Sequence, residues 1–233
     1  MSVRILLVGY GKMGQALARL APEYDAEVVG VVDPHSSGHA ASLDDPRVAL
    51  ADVAIDFTVP EAVVANVSLL ARLGRNIVLG TTGWQQHEGE LRKIVADANI
   101  GIVAAPNFST GVVLFEAVVA KAAAVFAGQA DFGAWLHELH HAMKKDAPSG
   151  TALKLKRTME EAGYLRPIDV SASRVGHIPG THTIGFDGPS ESITLTHTAR
   201  DRAVFARGAL TAAAWVKGRR GWFDMQDVLG VKA

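Results

Sequence analysis

Short apolar runs alternate with segments of helical periodicity over residues 3–105. Runs of this kind suit strands that are buried on both faces of a parallel sheet. They predict five strands, at 3–8, 28–33, 53–57, 76–79 and 100–105. Helical patterns between them predict helices that include residues 15–20, 60–73 and 88–99. Strands that alternate with helices in this way predict an α/β fold with a doubly wound parallel sheet.

The pattern changes after Pro106. Helices are predicted at 115–126 and from about 149 to 162, the second capped near Ser149 and ended by Gly163. Strands are predicted at 131–141, 169–175, 181–186 and 192–198. These predict an α+β domain with a mixed, mostly antiparallel sheet. We expect an Ala-rich helix at 202–217 to return to the first domain. The first domain then comprises residues 1–106 and 202–233, and the second comprises residues 107–201.

Composition narrows the class of protein. Of 233 residues, 48% are hydrophobic, which is enough for a sizeable core, and the net charge of −1 gives no electrostatic case for nucleic acid or a membrane surface as partner. Cysteine is absent, which fits a reducing cytosol and removes thiolate chemistry. The first apolar run is too short for a signal peptide or a membrane span. We therefore expect a soluble protein located in the cytoplasm.

A glycine-rich loop follows the first predicted strand and opens the first helix. It has the spacing of a dinucleotide-binding loop and reads Gly9-Tyr10-Gly11-Lys12-Met13-Gly14. Asp33 ends the second strand, where a carboxylate accepts hydrogen bonds from the ribose hydroxyls of adenosine. This context predicts a Rossmann-type domain that binds NAD(P)H; the alternative is a strand, turn and helix without a ligand. Asp33 repels a 2′-phosphate, so NADH should serve at least as well as NADPH, although Lys12 or Arg47 could still reach such a phosphate.

Two further loops follow the fourth and fifth predicted strands. Such loops line the ligand crevice of a doubly wound sheet. We expect these loops to surround the nicotinamide; the alternative is that they are ordinary turns. The loop after the fourth strand contains Gly80, Thr81, Thr82 and Gly83, and the loop after the fifth contains Ala105, Pro106, Asn107, Phe108 and Ser109.

The segment from Glu138 to Thr151 carries the densest chemistry. His140 and His141 point to opposite faces of an extended chain, so one could be an acid while the other binds substrate. Lys144 lies within reach of His140 if the chain turns after it, whereas Lys145 is expected in solvent. The Ser149-Gly150-Thr151 stretch offers N–H groups to a substrate carboxylate at a helix start.

A metal site is the alternative use of these histidines. His137 and His141 share a face of a strand, but their α-carbons would lie roughly 13 Å apart, too far for one ion. We therefore predict no metal.

The chain resembles the 4-hydroxy-tetrahydrodipicolinate reductase (dihydrodipicolinate reductase) family of lysine biosynthesis. The matching residues run in order through nearly the whole chain: 9–14, 56–58, 60–61, 80–83, 107–109, 138–151, 174–176, 179–182 and 196–199. The resemblance implies a homotetrameric enzyme, built through the second domain's sheet, that reduces a small heterocyclic dicarboxylate with a reduced nicotinamide. Pro34 and Val59 depart from family members that carry arginines for the NADPH phosphate.

The resemblance also implies residue roles. His140 matches the proton donor and acceptor, and Lys144 matches the second proton donor. Substrate-binding positions match at His141, Gly150 and Thr151. We also expect Ser149, which adjoins Gly150, to bind substrate. Cofactor positions match at 9–14, Asp33, 80–82 and 105–108. The alternatives are an aspartate dehydrogenase-like enzyme of similar build and a non-catalytic NAD(H)-binding module, which would have no use for His140 or Lys144.

Overall fold

The computed structural model describes residues 2–36 and 39–231, which form two compact units. The first unit contains residues up to Thr110 together with Ala203–Gly230. The second contains Gly111–Arg202 and Val231. The predicted first domain also included Met1, Lys232 and Ala233, which lie outside the described residues.

The first unit is built on a six-stranded parallel sheet, which confirms the predicted doubly wound fold. Its strands, in the spatial order β10-β5-β4-β3-β1-β2, are β1 (Val3–Val8), β2 (Ala26–Val32), β3 (Val53–Asp56), β4 (Asn76–Leu79), β5 (Gly101–Ala104) and β10 (Gly221–Phe223). Its helices are α1 (Lys12–Leu20), α2 (Pro60–Arg72), α3 (Glu88–Asp97), α6 (Ala203–Val216) and α7 (Met225–Leu229). The apolar runs that predicted β1, β3 and β4 are buried in the sheet.

The segment from Ala203 onward joins the first unit through both apolar and polar contacts. Helix α6 buries alanines and Val216. Asn76, at the start of β4, donates hydrogen bonds to the carbonyl oxygens of Val216 and Arg219 and accepts one from Gly101 N–H. A buried amide therefore joins the returning segment to two central strands.

Strand β10 and helix α7 were missed by the prediction. The strand has three residues, which is too short to show a periodicity. Asp224 then forms a capping box with Asp227 that starts α7.

The second unit is a four-stranded mixed sheet, as predicted, and two helices cover one of its faces. Its elements are α4 (Thr110–Ala127), β6 (Gly133–His140), α5 (Gly150–Glu161), β7 (Ile168–Arg174), β8 (Thr181–Asp187) and β9 (Ser192–Thr198). The strand order is β7-β6-β8-β9, with β6 and β7 parallel and the other two pairs antiparallel. Two of the three strand pairs are therefore antiparallel.

Alternation along β6 decides which side chains enter the core of the second unit. Ala134, Leu136, Glu138 and His140 are buried, and the residues between them are not. The strand ends at His140, one residue earlier than predicted, so His141 follows it and is only half-buried.

Helix α4 has the length and the apolar composition of a membrane span. Among the described residues, it is the only helix that does. Val119 and Ala123 of α4 lie in the apolar core of the second unit with Leu136 and Phe186. Only 22% of the helix is buried, so α4 packs in this core along one side and leaves Val118 and Val125 exposed.

Candidate functional site

The glycine loop of the first unit has the geometry that its spacing predicts. Gly9 has a φ of +90°, and a Cβ there would lie against the carbonyl oxygen of Phe57. A Cβ at Gly14 would overlap the carbonyl oxygen of Gly9, so helix α1 packs directly on the loop. Gly11, the N-cap of α1, has open space around it. An anionic group can therefore approach the backbone at the start of this helix.

Asp33 follows β2 and lies beside this loop. Its carboxylate accepts hydrogen bonds from the N–H groups of Tyr10 (2.6 Å) and His35 (2.8 Å). The Tyr10 bond contributes most to lowering the pKa of Asp33 below its usual range. The carboxylate is therefore ionised at neutral pH and held next to the glycine loop.

The loops after β3 and β4 are joined by a buried carboxylate that sequence reasoning did not single out. Asp56 accepts bonds from the hydroxyls of Thr58 (2.7 Å) and Thr81 (2.8 Å) and from the amide of Asn66 (2.9 Å). Burial raises the pKa of Asp56, and these bonds oppose the rise. The hydroxyl of Thr81 therefore donates a hydrogen bond within the protein, whereas Thr82 is exposed to solvent.

The loop after β5 is partly core. Ala105 and Phe108 are buried, and the Phe108 ring meets Phe57 edge-on. Pro106 is exposed, and half-buried Asn107 accepts a hydrogen bond from Ser109 N–H. Exposed and half-buried positions of the loop are therefore the ones free to face a ligand.

In the second unit, the sheet register brings four polar residues together around the end of β6. Glu138 lies opposite His182 of β8, and His140 lies opposite Arg174 of β7. Glu138 is fully buried, and its carboxylate meets the Arg174 guanidinium at 2.7 Å. Nδ1 of His140 lies 3.3 Å from the same carboxylate, and Nε2 of His182 lies 3.5 Å from it. Glu138, Arg174 and His182 had no role assigned from sequence, because only the strand register shows that they meet.

Nε2 of His140 faces a glycine. A Cβ at Gly180, whose φ is +152°, would lie 3.0 Å from this nitrogen. A side chain at position 180 would therefore crowd the ring nitrogen that points away from Glu138.

The loop after β6 turns as the predicted role of Lys144 requires. Lys144 N–H donates to His141 C=O at 3.0 Å, and Nζ of Lys144 pairs with the carboxylate of Asp146 at 2.7 Å. This pairing is the main cause of the lowered pKa of Asp146. Lys145 is exposed, as expected.

Helix α5 begins at Gly150, and Ser149 is its N-cap. The hydroxyl of Ser149 accepts a bond from Ala152 N–H (3.2 Å) and donates to Glu138, and its own N–H donates to Glu138 at 2.8 Å. Ser149 was expected among the substrate contacts, but it is buried, and its N–H and hydroxyl are used within the protein. Gly150 is exposed and Thr151 half-buried, so the first turn remains open to an anion.

Burial lowers the pKa of His140, the charges of Lys144 and Arg174 lower it further, and the carboxylates of Glu138 and Asp146 oppose them. Burial also lowers the pKa of His182, to about 4, so this imidazole is neutral at physiological pH. Near neutral pH the cluster therefore holds one neutral imidazole, His182, beside His140, whose proton affinity depends on the charges of its neighbours.

Side-chain atoms of Glu138, His140 and His182 lie within 4.8 Å of one another, close enough for one ion. The Glu138 carboxylate is already paired with the Arg174 guanidinium and bonded twice by Ser149. A cation would have to compete with that guanidinium, so the arrangement is better suited to a hydrogen-bonded network.

Two family models cover the chain. Dihydrodipicolinate reductase, N-terminus, matches residues 3–108, and dihydrodipicolinate reductase, C-terminus, matches residues 111–229. The chain belongs to the dihydrodipicolinate reductase family. The resemblance stated from the sequence motifs is thereby confirmed.

Relatives that match almost the whole chain are named as enzymes of this family. The chain is 39% identical over 254 residues to 4-hydroxy-tetrahydrodipicolinate reductase of Caulobacter vibrioides, covering 99% of this chain and 98% of that protein. It is 35% identical over 238 residues to the enzyme of the same name from Christiangramia forsetii, covering 97% and 98%.

Solved structures extend the comparison to the fold. The dipicolinate-bound dihydrodipicolinate reductase from Paenisporosarcina sp. TG-14 matches with a TM-score of 0.84 and 24% identity, over 97% of this chain and 99% of that one. Aspartate dehydrogenase from Thermotoga maritima matches with a TM-score of 0.53 and 10% identity, over 92% and 96%. The second match is weaker and shares only the architecture, so the aspartate dehydrogenase alternative is not favoured.

Proposed function

We propose that this dihydrodipicolinate reductase family member reduces 4-hydroxy-tetrahydrodipicolinate to tetrahydrodipicolinate with NAD(P)H, in the diaminopimelate route to lysine. The observation that carries the proposal is the segment from His140 to Thr151. It combines a buried imidazole, a lysine and an open helix start in one stretch of a chain whose whole length matches the family. A non-catalytic NAD(H)-binding module would have no use for this combination.

The first unit is the proposed cofactor domain. The open backbone at Gly11 and the ionised carboxylate of Asp33 fit the pyrophosphate and the adenosine ribose of a dinucleotide. When bound, NAD(P)H supplies the hydride. The proposed contacts are the loop residues Gly9, Tyr10, Gly11, Lys12, Met13 and Gly14, with Asp33, Gly80, Thr81, Thr82, Ala105, Pro106, Asn107 and Phe108. For Thr81 the contact would come from the backbone, since its hydroxyl is bonded to Asp56.

The second unit is the proposed substrate domain. His140 would give and take the proton at the reacting ring, and Lys144 would be a second proton donor. A substrate carboxylate would displace Asp146 from Lys144, because the two anions compete for one ammonium group. His141, Gly150 and Thr151 would hold the carboxylates, with Ser149 acting from behind as the helix cap. The 4-hydroxyl leaves as water, and the hydride is added at C4.

NADH should serve at least as well as NADPH. The ionised Asp33 would repel a 2′-phosphate, and proline follows it where an arginine would attract one. Arg47 pairs with Asp45, which reduces the charge that it could offer to a phosphate.

The proposed assembly is a homotetramer formed through the uncovered face of the second unit's sheet. That face carries paired threonine hydroxyls, Thr181 with Thr198 and Thr183 with Thr196, and the indole of Trp135. The proposed compartment is the cytoplasm, where reduced nicotinamide cofactors are available.

The direct test uses the purified full chain and substrate made enzymatically by condensing the aldehyde precursor with pyruvate. Oxidation of NADH should require the condensation product, and dipicolinate should inhibit it. Initial rates with NADH should equal or exceed those with NADPH. Turnover of aspartate, or cofactor binding without any turnover, would contradict the proposal.

A further inference from the structure

Glu138 is a buried carboxylate that contacts both halves of the proposed substrate site. It has no exposed surface, and burying a carboxylate is costly unless it is paired and hydrogen-bonded. Arg174 supplies the pair at 2.7 Å, and Ser149 supplies two hydrogen bonds. The carboxylate is therefore held in one place, from which it can act on the groups around it.

One side of this carboxylate faces the His140 ring. Nδ1 of His140 is buried and lies 3.3 Å from Oε2, and among the described residues it has no aligned hydrogen-bond partner. Glu138 therefore acts on the ring chiefly through its charge, which favours the protonated imidazole. Nε2, on the other side of the ring, is the nitrogen that faces Gly180.

The other side faces the start of helix α5. Both bonds from Ser149 end on Glu138, and the next two residues, Gly150 and Thr151, begin the helix. The N-cap position fixes the direction of the first-turn N–H groups. A single carboxylate thus acts on the imidazole through its charge and, through Ser149, on the direction of the N–H groups proposed to bind substrate.

We propose that Glu138 is a positioning residue whose one buried carboxylate acts on the His140 imidazole through its charge and fixes the Ser149-Gly150-Thr151 turn through hydrogen bonds to Ser149. This inference rests on the proposed function, in which His140 is the proton donor. Glu138 does not need to touch substrate or cofactor to act in this way.

The charges around His140 set the direction of the expected effect. The groups that face the ring are Glu138 on its own strand, Arg174 on β7, His182 on β8, and Lys144 and Asp146 in the following loop. Arg174 and Lys144 are cationic, and His182 is neutral near pH 7. Removing the negative charge of Glu138 leaves the cations less opposed, so the pKa of His140 should fall. Activity that needs the protonated ring is lost as the pH rises through this pKa, so the loss should begin at a lower pH.

The first test compares the Glu138→Gln variant with the wild-type chain. The high-pH limb of the kcat/KM profile should move down by about one pH unit or more. The titration of His140, followed by NMR of ¹⁵N-labelled imidazole, should move with it. Glu116→Gln is the matched control, because Glu116 is a buried carboxylate of the same unit that bonds to Lys154 and Thr158 instead. Its profile should equal that of the wild type.

Two further variants separate the two halves of the proposal. Glu138→Asp keeps the negative charge but draws the carboxylate back by one methylene, farther from His140, so the limb should move in the same direction by less. It replaces Glu138→Gln if that variant does not fold. Ser149→Ala removes the hydroxyl bond to Glu138 and should raise the substrate KM several-fold while leaving the His140 titration unchanged.

The outcomes distinguish this inference from the proposed function. An unchanged His140 titration in both Glu138 variants, or an unchanged KM in Ser149→Ala, overturns the positioning role. The NMR titration needs no turnover, so it tests Glu138 even if the substrate is different. Full activity in a His140→Gln variant would instead overturn the role of His140 as the acid, whatever Glu138 does.

Discussion

At the scale of single residues, sequence reasoning found the groups with distinctive chemistry and missed those that support them. His140 and Lys144 stand out because an imidazole can donate a proton near neutral pH and an ammonium can bind or protonate an anion. Glu138 lies in the same segment, but its partners come from β7 and β8, which are remote in sequence. Only the strand register shows that Glu138 contacts Arg174 and His182.

The role of His140 is tested by His140→Gln, which keeps a polar side chain but cannot donate a proton as an acid. We expect kcat to fall by about 10²–10⁴-fold. Cofactor affinity should hardly change, because the proposed cofactor contacts are in the other unit. Steady-state kinetics and NADH fluorescence titration measure the two quantities. His87→Gln, at a half-buried histidine of the first unit, is the control, and turnover of His140→Gln within about threefold of wild type would rule out the assigned role.

Two adjacent lysines offer a matched pair. Lys144 is partly buried and paired with Asp146, whereas Lys145 is exposed. Lys144→Ala should lower kcat and raise the substrate KM, since it removes both a proton donor and a charge that binds carboxylate. Lys145→Ala should leave both constants within about twofold. Equal effects of the two substitutions would mean that only the general positive charge of the loop matters.

At the scale of elements, apolar runs predicted every strand of the first sheet except β10. The longer runs succeed because a strand covered on both faces is apolar throughout. Strand β10 has only Gly221, Trp222 and Phe223, and its place at the sheet edge beside β5 depends on the polar contacts of Asn76 with the end of α6. Side-chain bonds between remote segments leave no periodic signal in the sequence.

The packing of α6 leads to a stability prediction. A Cβ at Gly208 would overlap the carbonyl oxygen of Phe108, so Gly208→Ala must displace the helix or the loop. We expect a loss of about 1–3 kcal/mol in the free energy of unfolding. Gly89 lies in α3 with open space around it, so Gly89→Ala should be neutral or stabilise by up to about 1 kcal/mol. Urea unfolding of both variants measures the difference, and similar values for the two would contradict the close packing at Gly208.

At the scale of the whole molecule, the chain leaves the first unit near residue 110 and returns to it near residue 203. The second unit therefore interrupts the first in sequence. The Ala-rich helix predicted at 202–217 was expected to return to the first domain, and the alanines of α6 are buried there. Hydrophobic periodicity alone does not show which domain this helix packs on. The hydrogen bond from the Asn76 amide to the carbonyl oxygen of Val216 shows how the end of the helix is joined to the first unit.

The uncovered face of the second unit's sheet is where the assembly can be tested. Helices α4 and α5 cover the face that carries Leu136 and Ile184, while the other face presents Thr183 and Thr196 in hydrogen-bond contact. Light scattering coupled to gel filtration should give the mass of four chains. Thr183→Arg places a charge in the middle of that face and should reduce the mass, because two like charges would meet across a symmetric interface.

Ala124→Arg, on an exposed position of α4, should keep the wild-type mass. A wild-type mass for Thr183→Arg would move the interface to another surface, and a wild-type mass of one chain would remove the tetramer altogether.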